Sequence, residues 1–307
     1  MNPPRALFVT LSNIGDLVMT TPALAALHAA YPDHVFDIVA DRRSSALLLA
    51  CPFLGELHHR DKAAGAPGML KLAHTLRRHR YEFAVDLRTD FLPWLVRARR
   101  RCARWQCKGR GTHSVEQHFA VAQRILPPDT AIPMPAVWYA EAEQRAADEA
   151  LEGLHGSRWI ALGPGANWRG KIWPLAHFIR LSALLASEFD AVVLLGGPGD
   201  ASLAAAFAST CTLPCRDLCG RTSLPAAAAV LARCTAFVGN DSGLGHMAAA
   251  VGTPTVTLFG PGDPERYRPW GPQAMVALAP ELDLERLDPV HVAQDVRAHL
   301  AALPPSA

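Results

Sequence analysis

The feature that most constrains this chain is a repeated alternation. A short run of β-branched and aromatic residues leads into a glycine-bearing loop, and a helix rich in alanine and leucine follows. Residues 6–11 (ALFVTL), 35–40 (VFDIVA) and 83–87 (FAVDL) read as strands, with a weaker one at 56–59. Helical stretches at 16–30, 68–79 and 115–126 lie between or after them. Apolar strands separated by helices build a parallel sheet covered on both faces, so an α/β fold is predicted.

The pattern then stops and restarts. Pro127, Pro128, Pro133 and Pro135 fall within nine residues, which no regular element tolerates. A helix over 140–154 follows, then strands at 159–162, 191–195, 236–238 and 255–259, with helices at 175–189 and 289–303. A length of 307 residues suits two such domains, expected at 1–145 and 146–288. Half the residues are hydrophobic and 19% are charged, which excludes a disordered chain. A net charge of +2 argues against a nucleic-acid binder by bulk charge. The chain runs from its first residues straight into a strand, and no apolar run reaches about 18 residues, so neither a signal peptide nor a membrane span is expected. Seven scattered cysteines with no zinc-ligand spacing read as reduced cytosolic thiols.

In open α/β sheets ligands sit beyond the carboxyl ends of strands. Four loops there carry candidate chemistry. In Ser12-Asn13-Ile14-Gly15-Asp16, Asp16 is either a helix N-cap or a carboxylate acting as general base; a helix N-terminus favours its ionised form. The segment 163–171 (GPGANWRGK) resembles a phosphate cradle, yet Ile172 follows Lys171, so the P-loop pattern fails. Lys171 there offers a point charge to a diphosphate, or is an ordinary surface lysine. In 196–200 (GGPGD), the dinucleotide fingerprint lacks its third glycine, and Asp200 either binds ribose hydroxyls or caps its helix. The segment 239–246 (GNDSGLGH) is the most specific: its glycines expose backbone N–H groups at a helix start, a natural phosphate seat, and Asp241 and His246 bring ionisable groups to it.

Together, 12–24 (SNIGDLVMTTPAL), 165–174 (GANWRGKIWP), 194–200 (LLGGPGD) and 238–264 (VGNDSGLGHMAAAVGTPTVTLFGPGDP) resemble glycosyltransferase family 9, the ADP-heptose:lipopolysaccharide heptosyltransferases. The resemblance implies a GT-B fold of two Rossmann-like domains with parallel sheets facing across a cleft. The acceptor would sit on the first domain and the nucleotide-sugar on the second; the helix 289–303, which by sequence could belong to either half, typically returns to the first in this family. It implies that Asp16 deprotonates the acceptor hydroxyl and that Lys171, Ser242 and Gly243 hold the diphosphate. Asp200 would face the ribose, while Asp241 and His246 would contact sugar or phosphate. Some relatives carry threonines before the lysine; Ala166 and Asn167 stand there in this chain, so that contact to phosphate is either missing or made by Asn167. The implied reaction is an inverting, metal-independent, cofactor-free transfer of a heptose from ADP-heptose to a lipopolysaccharide core. The chain contains no Asp-x-Asp to bridge a metal to a diphosphate.

Residues 97–110 hold Arg97, Arg99, Arg100, Arg101, Arg104, Lys108 and Arg110, interleaved with Trp105 and preceded by Trp94. Such a run is a solvated face or a surface for an anionic acceptor or the inner leaflet. Arg42, Arg43, Lys62 and Arg97 are the candidate acceptor contacts, in a cytoplasmic protein touching the membrane from outside it. Two other readings share the architecture: a nucleotide-sugar epimerase or a transferase using another donor, and a non-catalytic nucleotide-sugar binder. The Gly15-Asp16 segment fits a transferase better than an epimerase, and Asp16 beside the nucleotide loops argues against a mere binder.

Overall fold

A computed structural model describes residues 3–60, 63–107 and 110–303. Lys62, one of the candidate acceptor residues, and Lys108 of the basic run lie outside the described residues. The chain divides into two compact units, the first ending at Trp138 and the second starting at Tyr139.

The first unit runs β1 (Arg5–Val9), α1 (Ile14–Ala30), β2 (Val35–Ala40), β3 (Leu54–His59), α2 (Gly65–Leu76), β4 (Tyr81–Asp86), α3 (Leu92–Leu95), β5 (Ala98–Ala103) and α4 (Ser114–Ala122). The strands pair in parallel in the order β3-β2-β1-β4-β5. Leu7, Val9, Ala84 and Tyr81 pack with Leu72 and Leu76 of α2 and Leu92 of α3 in one apolar layer. Helix α1 carries Pro22 in its interior, which removes the N–H that Val18 O expects four residues on. Thr21 repairs the gap: its Oγ1 donates to Val18 O at 2.7 Å, and the same oxygen accepts from Ala136 N at 2.9 Å. The proline-rich segment is thereby fastened to α1.

The basic run is a strand. β5 forms an edge of the first sheet, and its side chains alternate: Arg99 and Arg101 face outward, while Arg100 turns in over the Tyr31 and Phe83 rings and donates to Tyr31 OH at 2.9 Å. Charge on an edge strand blocks pairing with another chain.

The second unit runs α5 (Glu141–Leu151), β6 (Trp159–Gly163), α6 (Leu175–Leu184), β7 (Ala191–Leu194), α7 (Ala201–Ala208), β8 (Cys215–Asp217), α8 (Leu224–Leu231), β9 (Ala236–Asn240), α9 (Gly243–Ala250), β10 (Thr255–Phe259), α10 (Pro264–Tyr267), β11 (Ala274–Leu278) and α11 (Pro289–Ala302). Its six strands pair in parallel in the order β11-β10-β9-β6-β7-β8, the doubly wound arrangement. The core joins Leu162, Val238 and Leu258 to Trp173, Phe178 and Phe207.

The last helix packs within the second unit, one of the two places the sequence left open to it. Val292, Ala293 and Val296 of α11 lie in the second core, and Arg297 reaches α6, donating to Leu184 O at 2.8 Å and pairing with Glu188 at 2.7 Å. The apolar stripe of α11 finds its cover on α6 and β11, within its own unit. Among the described residues no helix is long and apolar enough to cross a membrane.

Candidate active site

Strand order reverses between β6 and β9 in the second unit, the point where a crevice opens at the carboxyl end of a doubly wound sheet. There Gly163 of β6 pairs with Gly239 of β9, and the two most specific sequence loops leave the sheet side by side. Asn240, the last residue of β9, is fully buried. Its Oδ1 accepts from Trp173 N at 3.0 Å and its Nδ2 donates to Pro164 O at 2.8 Å. One amide side chain thus pins both ends of the 163–173 loop. That loop delivers Lys171, whose ammonium pairs with the Asp241 carboxylate. Gly262, in the turn after β10, lies against the same carboxylate: a Cβ there would stand 3.2 Å from Asp241 Oδ2.

Ser242 is the N-cap residue of α9, with extended backbone, and its side chain makes no capping hydrogen bond. Its Oγ is buried without a partner among the described residues. The first N–H groups of α9, starting at Gly243, therefore meet no side-chain cap, and a hydroxyl stands beside them. Helix dipole, free donors and Lys171 together make a seat for an anion. His246 lies on the first turn of α9 and is buried. Asn167 is exposed on the loop before Lys171.

Asp200 stands at the N-cap of α7 but its side chain does not cap that helix; it turns back onto the preceding loop. Its Oδ2 accepts from Gly197 N at 2.8 Å, and its carboxylate lies against the backbones of Gly165 and Gly196. It thereby holds the loops after β6 and β7 together.

In the first unit the corresponding reversal lies between β1 and β4. Asn13 is the N-cap residue of α1, and its Nδ2 donates to Asp16 Oδ2 at 2.8 Å, fixing the carboxylate in the first turn. Arginines follow the carboxyl ends of the other strands. Arg42 and Arg43 come after β2, Arg60 after β3, Arg88 after β4 and Arg104 after β5. Arg43 contacts Asp41 at 3.2 Å and Arg88 approaches it at 3.9 Å. Burial draws the Arg88 pKa down; Asp41 opposes this, and the nearby Arg60 and Arg43 add to it. Arg60 Nε is buried and has no partner among the described residues. Asp41, Asp86 beside Arg88 and Asp90 on Arg104 are fewer than the guanidiniums they face, which leaves an anion-seeking surface. Buried Asp86 shapes it, accepting from Arg88 N at 2.8 Å and Thr89 N at 2.7 Å. Arg97 is exposed where the chain enters β5.

Sequence reasoning missed Asn240, Arg60 and Arg88. Asn240 was visible as a polar residue closing an apolar strand. The arginines would have emerged had every strand end been searched, including the weak ones.

The description of glycosyltransferase family 9 (heptosyltransferase) matches residues 69–289, well over half of the chain. The chain belongs to glycosyltransferase family 9. It is 30% identical over 304 residues to lipopolysaccharide heptosyltransferase 2 of Escherichia coli strain K12, covering 89% of this chain and 87% of that protein. Lipopolysaccharide heptosyltransferase 3 of the same strain is 29% identical, over 83% of this chain and 82% of its own length. The solved structure of E. coli ADP-heptose lps heptosyltransferase II superposes with a TM-score of 0.81 at 27% identity, covering 97% of this chain and 98% of that one. The protein is thus a glycosyltransferase of the heptosyltransferase family, and its two Rossmann-like units are those of the GT-B fold class.

Proposed function

We propose that this family 9 enzyme transfers a heptose from ADP-heptose to a hydroxyl of a lipopolysaccharide core acceptor, with inversion at the anomeric carbon and without a metal ion or cofactor. It would work at the cytoplasmic face of the inner membrane. The observation that carries the reading is the uncapped start of α9, with the buried, unpartnered Ser242 Oγ beside the Lys171–Asp241 pair.

In this reading the donor diphosphate lies on the N–H groups of Gly243 and its neighbours, with Ser242 Oγ donating to a phosphate oxygen. Asp241 holds Lys171 in place, and the ammonium shifts part of its contact to the diphosphate as the ligand arrives. Asp241 and His246 contact sugar or phosphate, Asn167 supplies the contact that threonines make in some relatives, and Asp200 shapes the ribose side. Asp16 takes the proton of the acceptor hydroxyl as that oxygen forms its bond to the anomeric carbon. The bond from that carbon to the diphosphate oxygen breaks on the opposite face, and ADP departs. The positive end of α9 and Lys171 stabilise the charge gathering on the leaving group by fixed electrostatics, which is why no metal is required. Arg42, Arg43, Lys62 and Arg97, joined by Arg60 and Arg88, meet carboxylates or phosphates of the acceptor.

Calorimetric titration with ADP, UDP, GDP and CMP, first without metal and then with magnesium, tests this. ADP should bind in preference and without metal. Asp16→Ala should keep ADP binding and reduce transfer by about 10²–10⁴-fold, the usual worth of a general base. Preference for UDP would move the assignment to another donor or to an epimerase.

A further inference from the structure

Charge is distributed unevenly along this chain. Residues 91–110 carry seven Lys and Arg and no Asp or Glu, while all other residues together carry 23 basic against 28 acidic. A molecule of net charge +2 is therefore an acidic body with one strongly basic segment. The fold leaves Arg97, Arg99, Arg101, Arg104 and Arg110 exposed. The segment's described residues up to Cys107 include α3, the edge strand β5 and the turn after it.

Large aromatic rings stand on the same surface. Trp94 of α3 and Trp105, just beyond β5, lie with ring centroids 5.8 Å apart at an interplanar angle of 35°. They remain 42% and 49% exposed, and Phe91 beside them is 73% exposed. The alternation of β5 turns Arg99 and Arg101 outward, and Arg97 is exposed just before the strand. Among the described residues, acidic partners are few: Glu82 meets the exposed Arg99 and Asp90 meets Arg104, both at 3.3 Å.

A soluble surface gains nothing from exposed indole and phenyl rings: each ring that leaves water contributes roughly 25 cal/mol per Å² of apolar area removed. Indole rings settle at the headgroup level of a bilayer, with the ring plane apolar and the N–H wet. Guanidiniums beside them reach phosphate oxygens, while their aliphatic stems lie along the apolar surface. Single-stranded nucleic acid also binds basic surfaces bearing aromatics, but through rings spaced apart so that successive bases stack on them. Here the two tryptophans pack on each other.

We propose that this edge, formed by Phe91, Trp94 and Trp105 with Arg97, Arg99 and Arg101, docks the enzyme on an anionic phospholipid membrane. The inference rests on the reading of the acceptor as a membrane-held glycolipid, and it extends that reading by assigning the residues that touch lipid. The rings enter the headgroup layer while the arginines neutralise lipid phosphates. Binding should be reversible, since salt screens the electrostatic part.

The test is co-sedimentation of the full chain with vesicles of phosphatidylcholine alone and of phosphatidylcholine mixed with phosphatidylglycerol. The enzyme should bind the mixed vesicles and not the neutral ones, and should be released by high salt. Arg99→Gln and Arg101→Gln should each weaken binding about fivefold, the equivalent of about 1 kcal/mol per basic residue near a charged surface. A Trp94→Ala/Trp105→Ala variant should lose most of what remains. All these variants should keep ADP affinity and transfer to a lipid-free core oligosaccharide, which also shows that they fold. The proposal is overturned if the chain ignores anionic vesicles, if binding survives the aromatic and arginine changes, or if a single-stranded oligonucleotide binds more tightly than the vesicles at equal salt. Vesicle binding that persists while ADP binding and transfer fail would overturn the heptose-transfer reading and leave the docking edge standing.

Discussion

At Gly165 the chain has room for a hydrogen and nothing larger. A Cβ there would lie 2.1 Å from Asp200 Oδ1 and 2.5 Å from Oδ2, closer than any real contact. The φ of Gly165 is outside the left-handed region, so the backbone itself accepts alanine and only the carboxylate objects. Gly165→Ala should therefore displace Asp200 from Gly197 N–H, costing about 1–3 kcal/mol by overpacking and weakening ADP binding. Asp200→Ala alone should lose about 1 kcal/mol, the usual net worth of one such hydrogen bond. Combining the two removes the collision, so the double variant should be no less stable than Asp200→Ala by itself. Urea unfolding of the three variants measures this; additive losses would show that Gly165 is constrained by something else. Among the thiols, Cys211 has its pKa lowered chiefly by a hydrogen bond from Cys215, with burial opposing, while the Cys215 thiol is raised by the same contact. Cys211 should be the first cysteine alkylated by iodoacetamide near neutral pH, because the thiolate is the nucleophile, and peptide mapping by mass spectrometry would show it. First labelling at another cysteine would refute the assignment.

Between elements, the most consequential link is Asn240. Replacement by Leu keeps the volume but leaves Trp173 N and Pro164 O without their partner in a fully buried place, and each such orphan costs about 1–3 kcal/mol. Asn240→Leu should accordingly lower stability by about 2–6 kcal/mol and loosen the Lys171 loop, with reduced ADP affinity even at temperatures where the variant is folded. Thermal unfolding and calorimetry together check both parts; a stable variant with normal ADP binding would sink the argument. This link also marks where sequence reading stops. The helix–strand alternation displays the sheet interiors, because strands buried on both faces must be apolar along their length. Edge strands obey no such rule. β5 (ARRRCA) reads as a basic surface, and β8 (CRD) is three residues with no apolar signature. The loops at 12–16, 163–171 and 239–246 stand out because glycine and ionisable residues interrupt apolar runs. Asn240 and Arg88 act through partners distant in the chain, 67 residues in the case of Trp173 and Asn240, and no local pattern encodes that. The covering of α11 was equally illegible: its apolar stripe shows that it is covered, and only packing shows that α6 and β11 cover it.

For the whole molecule, the placement of α11 decides how independent the second unit is. Had the helix crossed to the first unit, the second would have exposed the apolar surface around Leu284, Leu287 and Ala277 when cut away. Instead every layer of that core is supplied from Tyr139 onward: α5 is held to α8 by Arg233, which pairs with Asp148 at 2.6 Å and donates to Gln144 O at 3.0 Å. Trp173 Nε1 donates to Leu287 O at 2.9 Å, tying the segment before α11 to the buried tryptophan. No strand of the six-stranded sheet comes from the first unit. A fragment beginning at Tyr139 should therefore be soluble and unfold cooperatively in urea, with an m-value in the range of about 1–3 kcal/mol/M for a single small domain. It should also bind ADP within about tenfold of the full chain, one power of ten being 1.4 kcal/mol, since the proposed diphosphate seat is built from its own loops. It should transfer no sugar, because Asp16 is absent from it. A fragment that folds but does not bind ADP would place essential nucleotide contacts on residues before Tyr139. A fragment that fails to unfold cooperatively would show that the second core needs the first unit after all, despite containing its own sheet, its own covering helices and its own C-terminal helix.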